Sequence, residues 1–114
     1  YRIMMGFGDT TPVATGDHVT CRSPDGWTIT EIRASVYAAS TVGDITIDIF
    51  VAGVSWLTSD LIIDQGEKTS ETSAAPVTHP NIGVVSDNEL AAVVLNGGSG
   101  ATGLVITLMG LYPD

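Results

Sequence analysis

Apolar and polar residues alternate in short runs along the whole chain, and Gly, Pro, Ser, Thr and Asp fill the positions between the runs. The clearest run covers residues 44–51. One side of it is apolar (Ile45, Ile47, Ile49 and Val51), and the other carries Asp44, Thr46 and Asp48. Because side chains alternate between the two faces of a strand, this period of two predicts a sheet with one buried and one wet face.

The same alternation, broken by turn residues, predicts eight or nine strands and no long helix. The predicted strands cover residues 1–7, 17–22, 27–39, 44–51, 54–57, 61–63, 82–85, 89–95 and 104–111. The third changes parity, since Trp27 and Ile29 lie on one phase and Ile32 on the other. One extra residue near Thr30 and Glu31 would restore the alternation, which predicts a β-bulge there. No proline interrupts the fourth, eighth and ninth strands, so these are expected at central positions.

Two segments between strands are predicted from their composition. Residues 68–78 are rich in Thr and Ser, which favours an exposed edge strand or an extended loop. Residues 96–103 are rich in Gly and are predicted to form a flexible hairpin loop between the last two strands.

The length of 114 residues indicates one domain, residues 1–114. Eight short strands in this length predict an all-β, antiparallel two-sheet sandwich of jelly-roll type, and an up-and-down barrel is the alternative. The chain begins at Tyr1 rather than Met, so it is interpreted as a fragment of a longer polypeptide.

The charge balance excludes some classes of partner. Thirteen acidic and four basic residues give a net charge of −9, and the basic residues are scattered, which argues against nucleic acid and anionic membranes. The apolar runs are too short to span a bilayer, so no membrane insertion is expected. Only 15% of residues are charged while 44% are hydrophobic, which favours burial of a further face against a copy of the chain.

No catalytic motif is present, so the sequence predicts a protein that is not an enzyme and has no catalytic residues. The histidines His18 and His79 lie far apart in the sequence, and the single Cys21 is interpreted as a small strand residue. The glycine run at 97–100 lacks the lysine and the helix of a phosphate-binding loop.

No cofactor is predicted, and structural calcium is the one metal considered. Asp44 and Asp48 lie roughly 13 Å apart along one strand, too far to share an ion. Turn carboxylates are the better candidates, in three groups: Asp9 with Asp17, Asp60 with Asp64 and Glu67, and Asp87 with Glu89. None has EF-hand spacing, and capping of turns by Asp is the competing interpretation.

Aromatic side chains are the candidates for a sugar-binding platform. For Trp27 and Trp56 a place in the core or in an oligomer interface is favoured. Trp56 is the stronger candidate for a sugar platform, because the residues around it in the sequence are polar: Ser55, Thr58, Ser59 and Asp60.

Five segments, in order, resemble a domain that recurs in virion proteins of tailed bacteriophages: residues 7–11, 27–36, 45–49, 61–70 and 101–110. The pattern Ile-Asp-x-Gly-Glu-Lys-Thr-Ser at 63–70 is the most specific. The resemblance implies a non-enzymatic β-sandwich, often trimeric, near the end of a tail-fibre or other surface-fibre protein. It therefore implies a place on the virion surface beside other virion proteins.

The chain departs from that family in residues 76–81 and in its two tryptophans. The inserted stretch is where an individual binding surface is expected, and the candidate ligand contacts are Trp56, Asp60, His79 and Asn81. The resemblance therefore implies a fibre or spike tip that assembles as a homotrimer, with a host-cell polysaccharide as its candidate ligand. The alternatives are a capsid decoration or structural protein and a carbohydrate-binding module of an enzyme.

Overall fold

Nine strands in two antiparallel sheets form the framework of residues 2–112, the part of the chain that the computed structural model describes. The strands are β1 (Arg2–Gly6), β2 (His18–Arg22), β3 (Trp27–Ser35), β4 (Ile45–Val51), β5 (Val54–Ser55), β6 (Leu61–Ile63), β7 (Ile82–Val84), β8 (Glu89–Asn96) and β9 (Val105–Leu111). Sheet 1 has the order β1-β9-β3-β7, and sheet 2 has the order β2-β8-β4-β5, with β6 also on β4. One 3₁₀ turn covers Ser70–Thr72.

The strand order is that of a jelly roll, as predicted. The chain passes from one sheet to the other after most strands, and the first strand pairs with the last. β5 and β6 pair with opposite ends of β4 on the same side, so together they fill one strand position. The barrel alternative is wrong, because each sheet keeps its own edge strands.

The core lies between the two sheets and follows directly from the alternation. β4 is buried at every second residue, with Ile45, Ile47 and Ile49 fully enclosed. Sheet 1 contributes Ile106 and Leu108 from β9 to the same core. Each fully buried side chain of this size stabilises the fold by about 1.5–3 kcal/mol.

Two predictions about individual strands are confirmed. The register of β3 against β9 shifts between Ile29 and Glu31, where the change of parity predicted a bulge. β4, β8 and β9 each lie between two other strands, at the expected central positions. The first predicted strand included Tyr1, which lies outside the described residues.

The third strand is shorter than predicted, because its last residues bond to loops instead of to a strand. β3 ends at Ser35. The N–H of Val36 donates to the carbonyl of Lys68, and the N–H of Tyr37 donates to that of Thr102. In residues 68–78 the buried hydroxyl of Ser70 accepts from the N–H of Ala34, so part of this segment is packed rather than exposed.

The hairpin prediction for residues 96–103 is wrong. β8 lies in sheet 2 and β9 in sheet 1, so this loop crosses from one sheet to the other. Gly98, Gly100 and Gly103 have positive φ there, a conformation that glycine adopts without steric cost. A glycine-rich run has the same composition whether it forms a hairpin or crosses between sheets. Its sequence does not show which strands the segments on either side of it pair with.

The crossover loop is fixed to the β3–β4 loop by Ser40, whose side chain is 1% exposed. Its hydroxyl lies 2.7 Å from the carbonyl oxygen of Gly43, to which it donates, and accepts from the N–H of Ser99 at 3.1 Å. We expect Ser40→Ala to lower the free energy of unfolding by about 1–3 kcal/mol, since the carbonyl of Gly43 and the N–H of Ser99, both in part-buried hydrogen bonds, lose their partner. Urea unfolding measures this, with the exposed Ser35→Ala as a control; equal midpoints for both variants would contradict the role of Ser40.

The turn between β4 and β5 places an alanine in a backbone conformation that alanine disfavours. Ala52 and Gly53 both have positive φ, 51° and 83°, as in a type I′ hairpin turn. Alanine is disfavoured in this region whereas asparagine tolerates it, so Ala52→Asn is expected to stabilise the protein by up to about 1 kcal/mol. Thermal unfolding tests this against Ala75→Asn, at an exposed position without positive φ, which is expected to leave the midpoint unchanged. A lower midpoint for Ala52→Asn would contradict the turn assignment.

Candidate functional site

The two loops that carry the predicted ligand contacts meet at one side of the sandwich. Residues 56–60 precede β6 at the edge of sheet 2, and residues 76–81, here called the strap, precede β7 at the edge of sheet 1. The N–H groups of Thr58 and Ser59 donate to the carbonyl of Thr78 at 2.8 and 3.1 Å. The N–H of Thr78 donates back to the hydroxyl of Ser59 at 2.9 Å. The strap therefore ties the edges of the two sheets together.

Trp56 holds the strap from the core side through its indole ring. Its side chain is 5% exposed, and its indole N–H donates to the carbonyl of Pro80 at 2.9 Å. The ring of His79 lies 4.8 Å from it, centre to centre, at an angle of 44°. Trp56 thus has no open face on which a sugar could stack, and it belongs to the core, the place favoured for both tryptophans. Trp27 is 3% exposed and donates to the hydroxyl of Ser23.

The other predicted contacts lie nearer to the surface. His79 and Asp60 are half-buried and Asn81 is exposed. Within residues 2–112 the side chains of Asp60 and Asn81 have no hydrogen-bond partner, whereas a ring nitrogen of His79 lies 3.2 Å from the carbonyl oxygen of Pro80. A carboxylate and an amide beside the strap can accept and donate hydrogen bonds to hydroxyl groups. Ligand contact by these four residues stays a prediction.

Several carboxylates of the proposed calcium groups act within their own loops. Asp17 accepts from the N–H of Ala14 at 2.8 Å, and Asp64 accepts from the N–H of Ala74 at 2.8 Å. Glu67 accepts from the hydroxyl of Thr72. Among residues 2–112 no three His, Cys, Asp or Glu side chains converge as a metal ion would need. Asp17 caps a turn in this structure, the competing interpretation of its position, whereas Asp64 and Glu67 bond within the loop that follows β6.

The thiol of Cys21 is partly buried. Cys21 lies on β2 and packs against the core, and burial raises the pKa of its thiol. A raised pKa keeps the thiol protonated at neutral pH and therefore weakly nucleophilic. No enclosed pocket is found among residues 2–112.

One ion-pair network lies on the outer face of sheet 1, and sequence reasoning missed it. Arg33 on β3 pairs with Glu31 at 3.0 Å and with Glu71, beyond the strand, at 3.1 Å. The hydrogen bond that Arg33 donates to Glu31 and the charge of Glu71 raise the pKa of the guanidinium. The spacing of Glu31 and Arg33 on one strand face was readable in the sequence, but the approach of Glu71 depends on how the loop after β6 folds back.

Comparisons with known proteins do not identify a family for this chain. No protein-family model matches the chain, and a search of curated proteins also finds no match. None of residues 2–112 belongs to a helix long and apolar enough to cross a bilayer. The likeness to phage virion domains therefore rests on the segments quoted from the sequence.

Proposed function

We propose that this chain is a non-enzymatic module of a tailed-phage virion surface, a fibre or spike tip that assembles as a homotrimer and contacts a host-cell polysaccharide. The observation that carries the proposal is that the first and last described residues lie at one end of the sandwich and the long loops lie at the other end. Arg2 at the start of β1 pairs with Met109 near the end of β9, so the described chain begins and ends at the same end of the molecule. The long loops at 7–17, 36–44 and 97–104 lie at the opposite end.

This arrangement suits a terminal module of a fibre. The sandwich measures 43 × 25 × 21 Å, and its long loops are held by interloop hydrogen bonds such as that from Val13 to Ala101. A rigid scaffold that is attached at one end and presents loops at the other leaves those loops and its flanks open to an outside partner. The lack of a cleft in residues 2–112 favours recognition by a surface over catalysis in a pocket.

The virion assignment is tested on particles of the phage that encodes the chain. Immunogold labelling with an antibody raised against the purified domain is expected to mark the fibre or spike ends. Labelling spread over the capsid would favour the decoration protein instead, and mass spectrometry that finds no peptide of the chain in purified particles would contradict a virion role.

The polysaccharide contact is tested with an array of bacterial surface polysaccharides. The purified domain is expected to bind at least one of them, and Asp60→Asn is expected to weaken that binding, since a carboxylate beside the strap loses its charge. Asp87→Asn, which changes an exposed carboxylate in the turn between β7 and β8, at the end of the sandwich opposite the long loops, serves as the matched control. Binding that both variants retain in full would remove the strap from the contact.

A further inference from the structure

Asn96, the last residue of β8, is the one asparagine of the chain that a glycine follows. Isoleucine follows Asn81, and glutamate follows Asn88. An asparagine before glycine is the pair most prone to deamidation, because glycine carries no side chain that hinders attack by its own nitrogen on the asparagine side chain. Asn96 is exposed, so water reaches its amide group.

The reaction needs no group beyond these two residues and water. The backbone nitrogen of Gly97 loses its proton and attacks the side-chain amide carbon of Asn96. A nitrogen–carbon bond forms, and ammonia leaves. Water then opens the five-membered succinimide ring at one of its two carbonyls, which yields aspartate or isoaspartate. The side chain of Asn96 already lies along this path, since its Oδ1 accepts from the N–H of Gly98 at 3.1 Å.

The attacking nitrogen is held by residues 13–17, here called the guard turn. The N–H of Gly97 donates to the hydroxyl of Thr15 at 3.1 Å. Two further bonds fix the guard turn to β8, because the N–H of Gly16 donates to the carbonyl of Val94 and the N–H of Val94 donates to the carbonyl of Asp17, both at 2.8 Å. A hydrogen-bonded N–H gives up its proton less readily than a free one, so the bond to Thr15 suppresses the nucleophile.

The backbone around Gly97 also opposes closure of the ring. Asn96 lies in a strand, and ring closure must turn its Cα–C bond by roughly 100° from the ψ of a strand. Gly97, which would move with this rotation, is buried. A β-carbon at Gly97 would lie 2.9 Å from the carbonyl oxygen of Val13 and 3.0 Å from the α-carbon of Ala14, so the guard turn leaves no room for the movement. The reaction therefore requires that the guard turn first separate from Gly97.

We infer that Asn96 is a site of spontaneous deamidation that the fold holds in check, and that release of Gly97 from Thr15 controls the rate of the reaction. Isoaspartate at this position adds a methylene group to the main chain between β8 and the crossover loop. The lengthened backbone cannot restore the close contacts of Gly97 with Val13 and Ala14. Deamidation thus acts as a one-way loosening of the crossover at the end of the sandwich that carries the long loops.

Incubation of the purified full chain at mildly alkaline pH, followed by mass spectrometry of the tryptic peptide 69–114, tests the inference. Fragmentation of this peptide distinguishes Asn96 from Asn81 and Asn88, which are expected to stay unchanged. Conversion of Asn96 is expected to be about tenfold or more slower in the folded chain than in urea, because it waits for local opening. Thr15→Val is expected to accelerate conversion in the folded chain about three- to tenfold, the effect of one lost hydrogen bond.

Two matched variants isolate the hydroxyl of Thr15. Thr15→Ser keeps the hydroxyl, and Thr10→Val makes the same change at an exposed residue of the same loop, so both are expected to convert at the wild-type rate. If Thr15→Val does not fold, hydrogen exchange at Gly97 in the wild-type chain decides, since conversion is expected to accelerate with the opening of that amide as temperature rises. Equal conversion in the folded and the unfolded chain, a wild-type rate in folded Thr15→Val, or faster conversion at Asn81 or Asn88 would overturn the inference.

Discussion

Replacement of Gly110 by alanine is expected to be the most destabilising single change at any glycine of the sandwich. A β-carbon at this position would overlap the carbonyl oxygen of Thr28 and lie 2.8 Å from its carbonyl carbon and 3.0 Å from the α-carbon of Ile29. All three are backbone atoms of the neighbouring strand, so no side chain can turn away to make room. The site adjoins the bulge of β3, where the register of the central strand pair is set.

We expect Gly110→Ala to lower the free energy of unfolding by about 3 kcal/mol or more, because strands β3 and β9 must separate locally to admit the methyl group. Urea unfolding followed by circular dichroism measures the loss. Gly83→Ala is the matched control: Gly83 lies in β7 of the same sheet, and an added β-carbon there meets nothing within 4 Å. Its free energy of unfolding is expected to change by less than about 1 kcal/mol. Similar losses for both variants would contradict the close approach of β9 to β3.

Truncation of Trp56 is expected to have the second large effect. The indole is 5% exposed and holds the carbonyl of Pro80 by its N–H, so Trp56→Ala empties a large core site and frees the strap. The free energy of unfolding is expected to fall by about 3–5 kcal/mol, the usual range for such truncations. Hydrogen exchange at the amides of Thr58, Ser59 and Thr78 is expected to accelerate, because these amides bond across the strap.

Trp56→Phe separates packing from hydrogen bonding at the same position. It keeps a buried ring and removes the bond to Pro80, so its expected cost is about 1 kcal/mol. If Trp56→Ala left both stability and hydrogen exchange unchanged, the indole would not be an anchor of the strap. The role of Trp56 as an anchor also matters for ligand tests. Loss of ligand binding in Trp56→Ala alone would result from a displaced strap as readily as from a lost contact.

Local patterns predicted the features of this fold that depend on neighbouring residues in the chain. Alternation identified β4 and its buried face, and the phase change from Ile29 to Ile32 located the bulge. The absence of proline identified the central strands. Each of these features depends on side-chain direction along one strand, which the order of residues determines.

Features that depend on distant contacts were missed or predicted differently. The loop after Asn96 was taken for a hairpin, because nothing in its sequence shows that β9 pairs with β1 and β3. The burial of Ser70 follows from its bond to Ala34, thirty-six residues away. Trp56 has polar neighbours in the sequence, but the strap, more than twenty residues later, covers its ring. The candidate residues were thus named from the sequence, whereas the hydrogen bonds between the two loops that carry them were not predicted.

The assembly of this chain into a homotrimer is the claim on which the proposed function most depends. Light scattering from the purified wild-type chain during size-exclusion chromatography tests it most directly. A single species with three times the 11.8 kDa mass of the chain is the predicted result. A species of one chain mass at every concentration examined would contradict it.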